Sequence, residues 1–147
     1  MSNHPTHDDC IFCKIVAGQI PCHRIHETET MLAFLDVGPL SRGHMLLIPK
    51  GHWPTMDELP DAIAGELGGA LPRLSRALRK AVDADAWNVL QNNGQIAGQA
   101  VFHLHYHLIP RAAGDDLGFR WPAGSLDGDD ASTLVDAITG ALADDPN

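Results

Sequence analysis

The chain has 147 residues, 44% hydrophobic and 20% charged, which are ordinary values for a globular protein of one domain. No apolar run approaches the roughly 20 residues of a membrane span, and the polar opening Met1–Asp9 lacks the features of an export signal, so we expect a cytoplasmic protein with no membrane partner. The formal net charge of −9 argues against binding to a nucleic acid polymer, because proteins that track DNA or RNA normally carry a basic stripe.

The first part of the chain predicts a short helix followed by a β-hairpin. Residues Met1–Asp9 lack hydrophobic periodicity and are predicted to be a flexible tail, and Cys10–Ala17 is predicted to be a short helix that ends at Gly18. Met31–Leu35 and His44–Pro49 are apolar runs typical of strands. The glycines and the proline between these runs favour a tight reversal.

A long amphipathic helix is predicted from Met56 to about Val82, because apolar residues recur there every three or four positions. Pro60 suits its first turn. Pro72 lies in the interior, where a proline removes a hydrogen bond and clashes with the preceding turn. We therefore expect a kink or a break near Pro72.

Two further strands and a terminal helix follow. Trp87–Gln91 and Val101–Ile109 are the predicted strands, and Pro110 is expected to end the second. Ser132–Leu142 is predicted to be a helix. This order of elements predicts an α+β fold, an antiparallel sheet with helices packed on part of it.

The elements imply a simple domain organisation. We expect one domain over residues 10–147, because no repeat or low-complexity block interrupts the chain. Its last part, 112–147, is rich in Gly, Asp and Pro at its start, so it is predicted to be an irregular C-terminal extension.

Three histidines alternate with apolar residues in the predicted fourth strand. Side chains alternate between the faces of a strand, so His103, His105 and His107 are predicted to share one face. Such a face supports two chemistries: imidazoles can converge on zinc, or one neutral imidazole can attack phosphorus as a nucleophile. The spacing alone does not separate the two.

The loop before this strand favours attack on phosphorus. Its glycines, which include Gly94 and Gly98, let the backbone approach a phosphate, and the amide side chains of Asn92 and Gln99 can orient it. A site that only binds metal has no need of such a loop.

The segment Gly98–Leu108, with its Gly-Gln step and alternating histidines, resembles the signature of the histidine triad (HIT) superfamily. Three more segments are similar to the family's pattern and occur in its order: Cys10–Pro21, Ala33–Asp36 and Gly43–His52. Together the four cover about residues 10–111.

The resemblance implies a HIT-like fold and a homodimer. It further implies a nucleotide hydrolase or nucleotidyl transferase that acts on the α-phosphate of purine nucleotide conjugates, such as nucleoside phosphoramidates or dinucleoside polyphosphates. The alternative is a nucleotide-binding or scaffold protein of this family with negligible turnover.

The resemblance also implies roles for individual residues. His105 matches the nucleophile that forms a nucleotidyl-histidine intermediate, while His107 and His44 match neighbours that contact the phosphate and help to protonate the leaving group. Asp36 matches the carboxylate that binds the ribose hydroxyls. The apolar sandwich expected around the purine consists of Phe12, Ile15, Ile20 and Val37. The expected phosphate contacts are Asn92, Gln99, Ala100 and Val101. Core packing would bury the four apolar residues equally well. Ala100 stands where the Hint branch of the family usually has serine, so a hydroxyl donor is missing.

Two cysteines, Cys10 and Cys13, have a spacing that indicates metal or redox chemistry in a reducing compartment. A closed structural zinc site needs four ligands. Resemblance to bacterial members of the family implies that His52 and His103 complete the set, with one structural zinc per chain and no organic cofactor. The alternative is a pair of reduced cysteines packed in the core.

Overall fold

The computed structural model describes residues 4–118 and 121–146. They fall into two compact units, which meet in the sequence between Asp116 and Leu117. The expectation of a single domain over residues 10–147 stays a prediction, and each unit is described by itself.

The first unit contains a five-stranded sheet with the order β1-β2-β3-β5-β4, in which every neighbouring pair is antiparallel. The helices and strands are α1 (Ile11–Val16), β1 (Arg24–Glu27), β2 (Met31–Leu35), β3 (Met45–Pro49), α2 (Asp61–Val82), β4 (Ala86–Gln91) and β5 (Tyr106–Arg111). The second unit contains α3 (Gly128–Asp144). The predicted α+β fold, with its short N-terminal helix, long helix and C-terminal helix, is confirmed.

Strands β2 and β3 are buried on both faces, which explains their continuous apolar sequence. Met31 and Ala33 pack with α2 on one face of the sheet. Leu32 and Phe34 pack with α1 on the other face, and β3 divides between the faces in the same way. The sheet therefore separates two apolar clusters, and α1 covers the face on which the candidate site lies.

Helix α2 continues through Pro72, so there is no break there, and the alternative of a kink stays a prediction. Because Pro72 has no N–H, the carbonyl of Gly68 lacks its helical hydrogen bond. Both residues are exposed, so water can donate to that carbonyl. The helix also begins later than predicted. Residues Met56–Glu58 form a separate 3-10 turn, and Pro60 is the N-cap of α2 rather than part of its first turn.

Strand β5 is displaced from its predicted bounds, Val101–Ile109. Residues 101–105 are not paired as a strand, although Leu104 N–H donates to the carbonyl oxygen of Trp53 over 2.7 Å. Pro110 does not end the strand but lies opposite Trp87. The pairing of β5 with β3 ends at Leu108, so the missing N–H of Pro110 removes no bond of that ladder.

One strand was not predicted, and one helix extends beyond its predicted bounds, Ser132–Leu142. Strand β1 was not predicted, because its sequence is polar and largely exposed, as an edge strand can be. Helix α3 is longer than predicted and is capped by Asp127, whose Oδ1 accepts N–H bonds from Asp129 and Asp130. None of the helices in the described ranges is both long enough and apolar enough to cross a membrane.

Candidate active site

His105 lies just before β5 and is 6% exposed. Its Nδ1 is 2.7 Å from the main-chain carbonyl oxygen of His103, and since a carbonyl can only accept, Nδ1 carries the proton. In the neutral ring, Nε2 then keeps its lone pair. Burial lowers the pKa of His105 against the raising effects of that carbonyl and of the Asp36 carboxylate. His105 is thus a neutral imidazole with one nitrogen prepared for nucleophilic attack.

A second pair of histidines lies beside His105. His107, on β5, has its ring centroid 4.8 Å from that of His105. Leu40 N–H donates to Nδ1 of His44 over 3.0 Å, so the proton of neutral His44 is on Nε2. This Nε2 is 2.9 Å from Nδ1 of His107, which must accept. The direction of these bonds leaves Nε2 of His107 as an N–H donor beside the nucleophile.

Burial keeps this pair neutral. It lowers the pKa of His107 to about 4, with further lowering from the neighbouring rings of His105 and His44. Burial likewise lowers the pKa of His44, although the Asp36 carboxylate raises it. Oδ2 of Asp36 is 3.6 Å from Nε2 of His44, too far for a hydrogen bond, and its Oδ1 accepts from Gly38 N–H over 2.8 Å. Asp36 therefore acts on the histidines through its charge.

The structure brings Cys10, Cys13, His52 and His103 together, with one ligand atom of each lying within 4.8 Å of the others. His103 donates from Nε2 to the carbonyl oxygen of Pro49 over 2.8 Å, which leaves the lone pair on Nδ1. That nitrogen is 3.4 Å from Sγ of Cys10 and 3.6 Å from Sγ of Cys13, and His52 Nδ1 is 3.4 Å from Cys13 Sγ.

These separations fit a tetrahedral zinc ion. With the usual Zn–S and Zn–N bond lengths, sulfur and nitrogen ligands are about 3.5 Å apart along the edge of the tetrahedron. Burial lowers the pKa of His103 to about 4, so its imidazole is neutral as a ligand must be. Burial raises the pKa of the Cys13 thiol to about 11, and a bound divalent cation is the kind of group that stabilises such a thiolate. The hydrogen bond from His103 Nε2 to the Pro49 carbonyl also orients this imidazole as a ligand.

Asp36, His44 and His107 form another group of ligand-type atoms within 4.8 Å. The hydrogen bond from Leu40 N–H to Nδ1 of His44 disfavours metal binding there. Since Nδ1 already accepts this bond, His44 could bind a metal ion through Nε2 only if its ring had lost both protons. In this group a hydrogen bond joins His44 and His107, and Asp36 lies beside them as a charge. The imidazoles of the triad do not converge on one metal, because only His103 faces the cysteines.

The residues of the expected apolar sandwich differ in exposure. Phe12 and Ile15 are 6% and 7% exposed, and Ile20 is half-buried. Val37 is 85% exposed, beside Asp36 in the loop after β2. The Phe12 ring stands edge-to-face against His105, with the ring centroids 5.2 Å apart.

The two amides of the loop before β5 are used differently. Gln99, 2% exposed, accepts from Gly94 N–H over 2.7 Å and donates to the carbonyl oxygens of Pro54 and Val101 over 2.7 and 3.1 Å. It therefore holds the loop. The Asn92 side chain makes no hydrogen bond within the described ranges, and it lies next to Gly98, where a Cβ would be 3.5 Å from Nδ2. Gly98 has φ +98°, so glycine suits both its backbone and its close approach to Asn92.

Ala100 and Val101, which follow Gln99, differ in their surroundings, because Val101 packs against the apolar cluster that contains α1. Ala100 is exposed and Val101 is half-buried. A side chain at Ala100 therefore has room to project from the surface.

Several groups that shape the site were not predicted. The Leu40 N–H and the Pro49 carbonyl fix imidazole tautomers, and since every such residue has these main-chain groups, no sequence pattern could have marked them. The predicted tail also contributes: Pro5 accepts from His52 N–H over 2.7 Å, and the His7 ring stacks on His52 with the centroids 5.2 Å apart. The repeated histidines of the tail were the only signal for this contact.

The chain matches the family model described as the HIT domain over residues 17–114. It is 44% identical over 119 residues to "Adenylylsulfatase HINT3" of Arabidopsis thaliana, covering 81% of this chain but only 59% of that longer protein. It is 43% identical over 134 residues to "Adenosine 5'-monophosphoramidase hnt1" of Schizosaccharomyces pombe, covering 90% of this chain and 98% of the yeast protein.

The fold is also similar to solved structures. A crystal structure described as a Zn-bound histidine triad family protein from Mycobacterium smegmatis has a TM-score of 0.70 and 38% sequence identity. The similarity covers 91% of this chain and 95% of that chain.

Proposed function

The chain belongs to the HIT family, and from that premise we propose that it hydrolyses purine nucleotide conjugates at the α-phosphate with His105 as the nucleophile. The observation that carries this proposal is the bond from His105 Nδ1 to the His103 carbonyl, which leaves Nε2 as the free nucleophilic atom. The names of the plant and yeast relatives support the reaction class, since one is an adenylylsulfatase and the other an adenosine monophosphoramidase.

The reaction has two steps. Nε2 of His105 attacks the α-phosphorus, so that an N–P bond forms as the bond to the leaving group breaks. The leaving group takes up a proton from the solvent, and the water that later cleaves the N–P bond returns a proton to the solvent. The N–H on Nε2 of His107 is placed to donate to a phosphate oxygen or to the departing atom, and His44 holds that ring in the required tautomer. Water then cleaves the N–P bond, which releases the nucleoside monophosphate and restores His105.

Substrate contacts follow the same geometry. The Asp36 carboxylate is proposed to accept from the ribose hydroxyls, and the uncommitted amide of Asn92 to contact the phosphate. The apolar residues proposed to face the purine are Phe12, Ile15, Ile20 and Val37. The Gln99 side chain is already bonded to three main-chain groups, which supports a role in shaping the loop that receives the phosphate.

We also propose that Cys10, Cys13, His52 and His103 hold one structural zinc ion. When bound, the ion would supply a cross-link between α1 and the rest of the first unit and would take no part in phosphoryl transfer. The matching ligand separations support this assignment, and so does the description of the similar mycobacterial protein as Zn-bound.

A family member that only binds nucleotides is the competing function, and Ala100 favours it because the site lacks a hydroxyl donor there. The two are separated by assaying adenosine phosphoramidate beside a diadenosine polyphosphate, with AMP binding measured on the same protein. Turnover of the phosphoramidate is the expected result. AMP binding without turnover of either compound would contradict the hydrolase.

We propose a cytoplasmic homodimer. The described cysteines are free, as expected in a reducing compartment. Four apolar side chains of α3 are exposed, which supports a partner that covers them: Leu134, Val135, Ile138 and Leu142. Sedimentation at micromolar concentration should give a dimer, and a monomer would contradict the proposal.

A further inference from the structure

The loop between β2 and β3 leads into His44, and little packing secures its middle. Residues 37–40 are exposed, with Val37 at 85% and Leu40 at 56%. Leu40 is nevertheless the residue whose N–H donates to Nδ1 of His44 over 3.0 Å. Apolar burial therefore does not keep this N–H in place.

Ser41 connects the loop to β5. Its hydroxyl donates to the carbonyl oxygen of Pro110 over 2.7 Å, and its own carbonyl accepts from His44 N–H over 3.1 Å. Pro110 is buried, and the pairing of β5 with β3 ends at Leu108, so that ladder supplies no partner for the Pro110 carbonyl. Within the described ranges, the Ser41 hydroxyl makes the only hydrogen bond from residues 37–43 to a strand or helix that the loop does not join.

We propose that Ser41 is a positioning residue for the reaction, which fixes the tautomers of His44 and His107 through Leu40. This role rests on the proposed function only in taking His107 as the donor beside the nucleophile. Ser41 holds the loop to β5, and the adjacent Leu40 N–H is thereby directed at Nδ1 of His44. Nε2 of His44 then donates to Nδ1 of His107 over 2.9 Å, which leaves the His107 proton on Nε2.

The strand that anchors the loop is also the strand that carries His107. Pro110 lies three residues after His107 on β5, so a loop held to Pro110 keeps its place relative to that ring. Loss of the Ser41 hydroxyl would leave the carbonyl of buried Pro110 without its partner and release the middle of the loop. Without a fixed donor at Nδ1, His44 can place its proton on either nitrogen, and in the other tautomer it cannot donate to His107.

The first test measures turnover of adenosine phosphoramidate in Ser41→Ala and Ser41→Thr. Ser41→Ala should lower kcat by about fivefold, as expected for the loss of one hydrogen bond. Ser41→Thr should stay within about twofold of wild type, because threonine keeps the hydroxyl. An unchanged kcat in Ser41→Ala, or equal losses in the two variants, would overturn the proposal.

Ser75→Ala is the matched control for the removal of a serine hydroxyl. Ser75 is buried on α2, which packs on the face of the sheet opposite the candidate site, and its hydroxyl accepts from Trp87 Nε1 over 3.2 Å. Ser75→Ala should leave kcat within about twofold of wild type. A loss as large as that of Ser41→Ala would indicate general destabilisation and contradict the positioning role.

Binding of adenosine separates this role from a contact with the nucleoside. Adenosine has the ribose and the purine but no phosphate, so its Kd reports the contacts proposed for Asp36 and the apolar residues. This Kd should stay within about twofold in Ser41→Ala, since Asp36 is held by its own N–H bond to the His44 carbonyl over 3.0 Å. A raised Kd with an unchanged kcat would assign Ser41 to nucleoside binding and overturn the proposal.

A third readout observes the imidazoles directly and needs no turnover. In ¹⁵N spectra at about pH 8, where imidazoles are neutral, wild-type His44 and His107 should each show one tautomer with the proton on Nε2. Ser41→Ala should give averaged or doubled signals for His44, whereas Ser41→Thr and Ser75→Ala should resemble the wild type. A wild-type spectrum in Ser41→Ala would overturn the proposal even if kcat fell.

Turnover and spectra separate the role of Ser41 from the proposed function. Absence of turnover in the wild type would contradict the hydrolase and leave the ¹⁵N comparison to decide the role of Ser41. If circular dichroism shows that Ser41→Ala is unfolded, Ser41→Cys replaces it, because a thiol is only a weak donor. Averaged His44 signals are expected for that variant as well, and a wild-type spectrum would again overturn the proposal.

Discussion

The main-chain carbonyl oxygen of His103 accepts the Nδ1–H of His105 across 2.7 Å, while the ring of the same His103 turns its Nδ1 toward the two cysteines. His103 therefore belongs to the cluster of possible zinc ligands and also sets the tautomer of His105.

The rate should persist well below the pH at which an ordinary histidine titrates. The reaction needs neutral imidazoles, and burial lowers the pKa of His105 and of His44 and brings that of His107 to about 4. These groups stay neutral as the pH falls through about 6.5, the reference value for histidine. In a profile of kcat/KM, the acid limb should therefore have its midpoint below 6.5, and a midpoint at or above that value would contradict the assignment.

Stability must be followed in the same experiment. Because the pKa values in the folded state are lowered, the unfolded chain takes up protons first as the pH falls, and folding loses stability between about 6.5 and the lowered values. Circular dichroism at each pH separates loss of structure from protonation of the folded site.

Ala100→Ser should increase turnover of adenosine phosphoramidate. Ala100 is exposed in the loop before β5, so a serine fits there and restores the hydroxyl donor of the Hint branch. One hydrogen bond to a charged group is worth about 1.5 kcal/mol, or roughly tenfold in rate. Ala97→Ser, at another exposed position of the loop, is the control and should leave the rate unchanged. Equal rates for Ala100→Ser and wild type would show that position 100 does not contact the reacting group.

Gln99→Leu should destabilise the protein, because it leaves three main-chain groups without their partner: the N–H of Gly94 and the carbonyls of Pro54 and Val101. The free energy of unfolding in urea should fall by about 2 kcal/mol or more. Gln95→Leu, an exposed position in the same loop, should change it by less than about 0.5 kcal/mol. Loss of nucleotide affinity in Gln99→Leu without loss of stability would instead make this amide a direct substrate contact.

Metal analysis should find about one zinc ion per chain in wild-type protein and much less in Cys13→Ser. A structural zinc ion stabilises the folded state by its binding free energy, so its loss should lower Tm by about 10 °C. Cys22→Ser is the matched control, since Cys22 is a free cysteine outside the cluster of possible ligands. Metal-free wild-type protein that melts at the same temperature as loaded protein would contradict a structural zinc ion.

The parts of the fold that follow from pattern were predictable from the sequence. β2 has the predicted bounds, and Leu67, Leu74 and Leu78 of the predicted helical face are buried against the sheet. The position of β5 was not predictable, because alternation of histidines continues into residues 101–105, where a contact with the Trp53 carbonyl replaces strand pairing.

Some features of the site were likewise predictable from the sequence, and others were not. Residue types and family resemblance identify Cys10 and His52 as neighbours although 42 positions separate them in the sequence, and the structure places both in one cluster. The protonation pattern of the imidazoles depends instead on the Leu40 N–H and the Pro49 carbonyl. Only the folded chain determines which main-chain group faces which ring.

The most direct measurement is to trap the intermediate on wild-type protein with a slowly hydrolysed phosphoramidate and locate the adduct by peptide mass spectrometry. We expect one nucleotidyl group on His105, no adduct in His105→Ala, a loss of turnover of about 10³-fold or more in that variant, and retained AMP binding. An adduct on another residue, or turnover of His105→Ala within about tenfold of wild type, would contradict the assignment of His105 as the nucleophile.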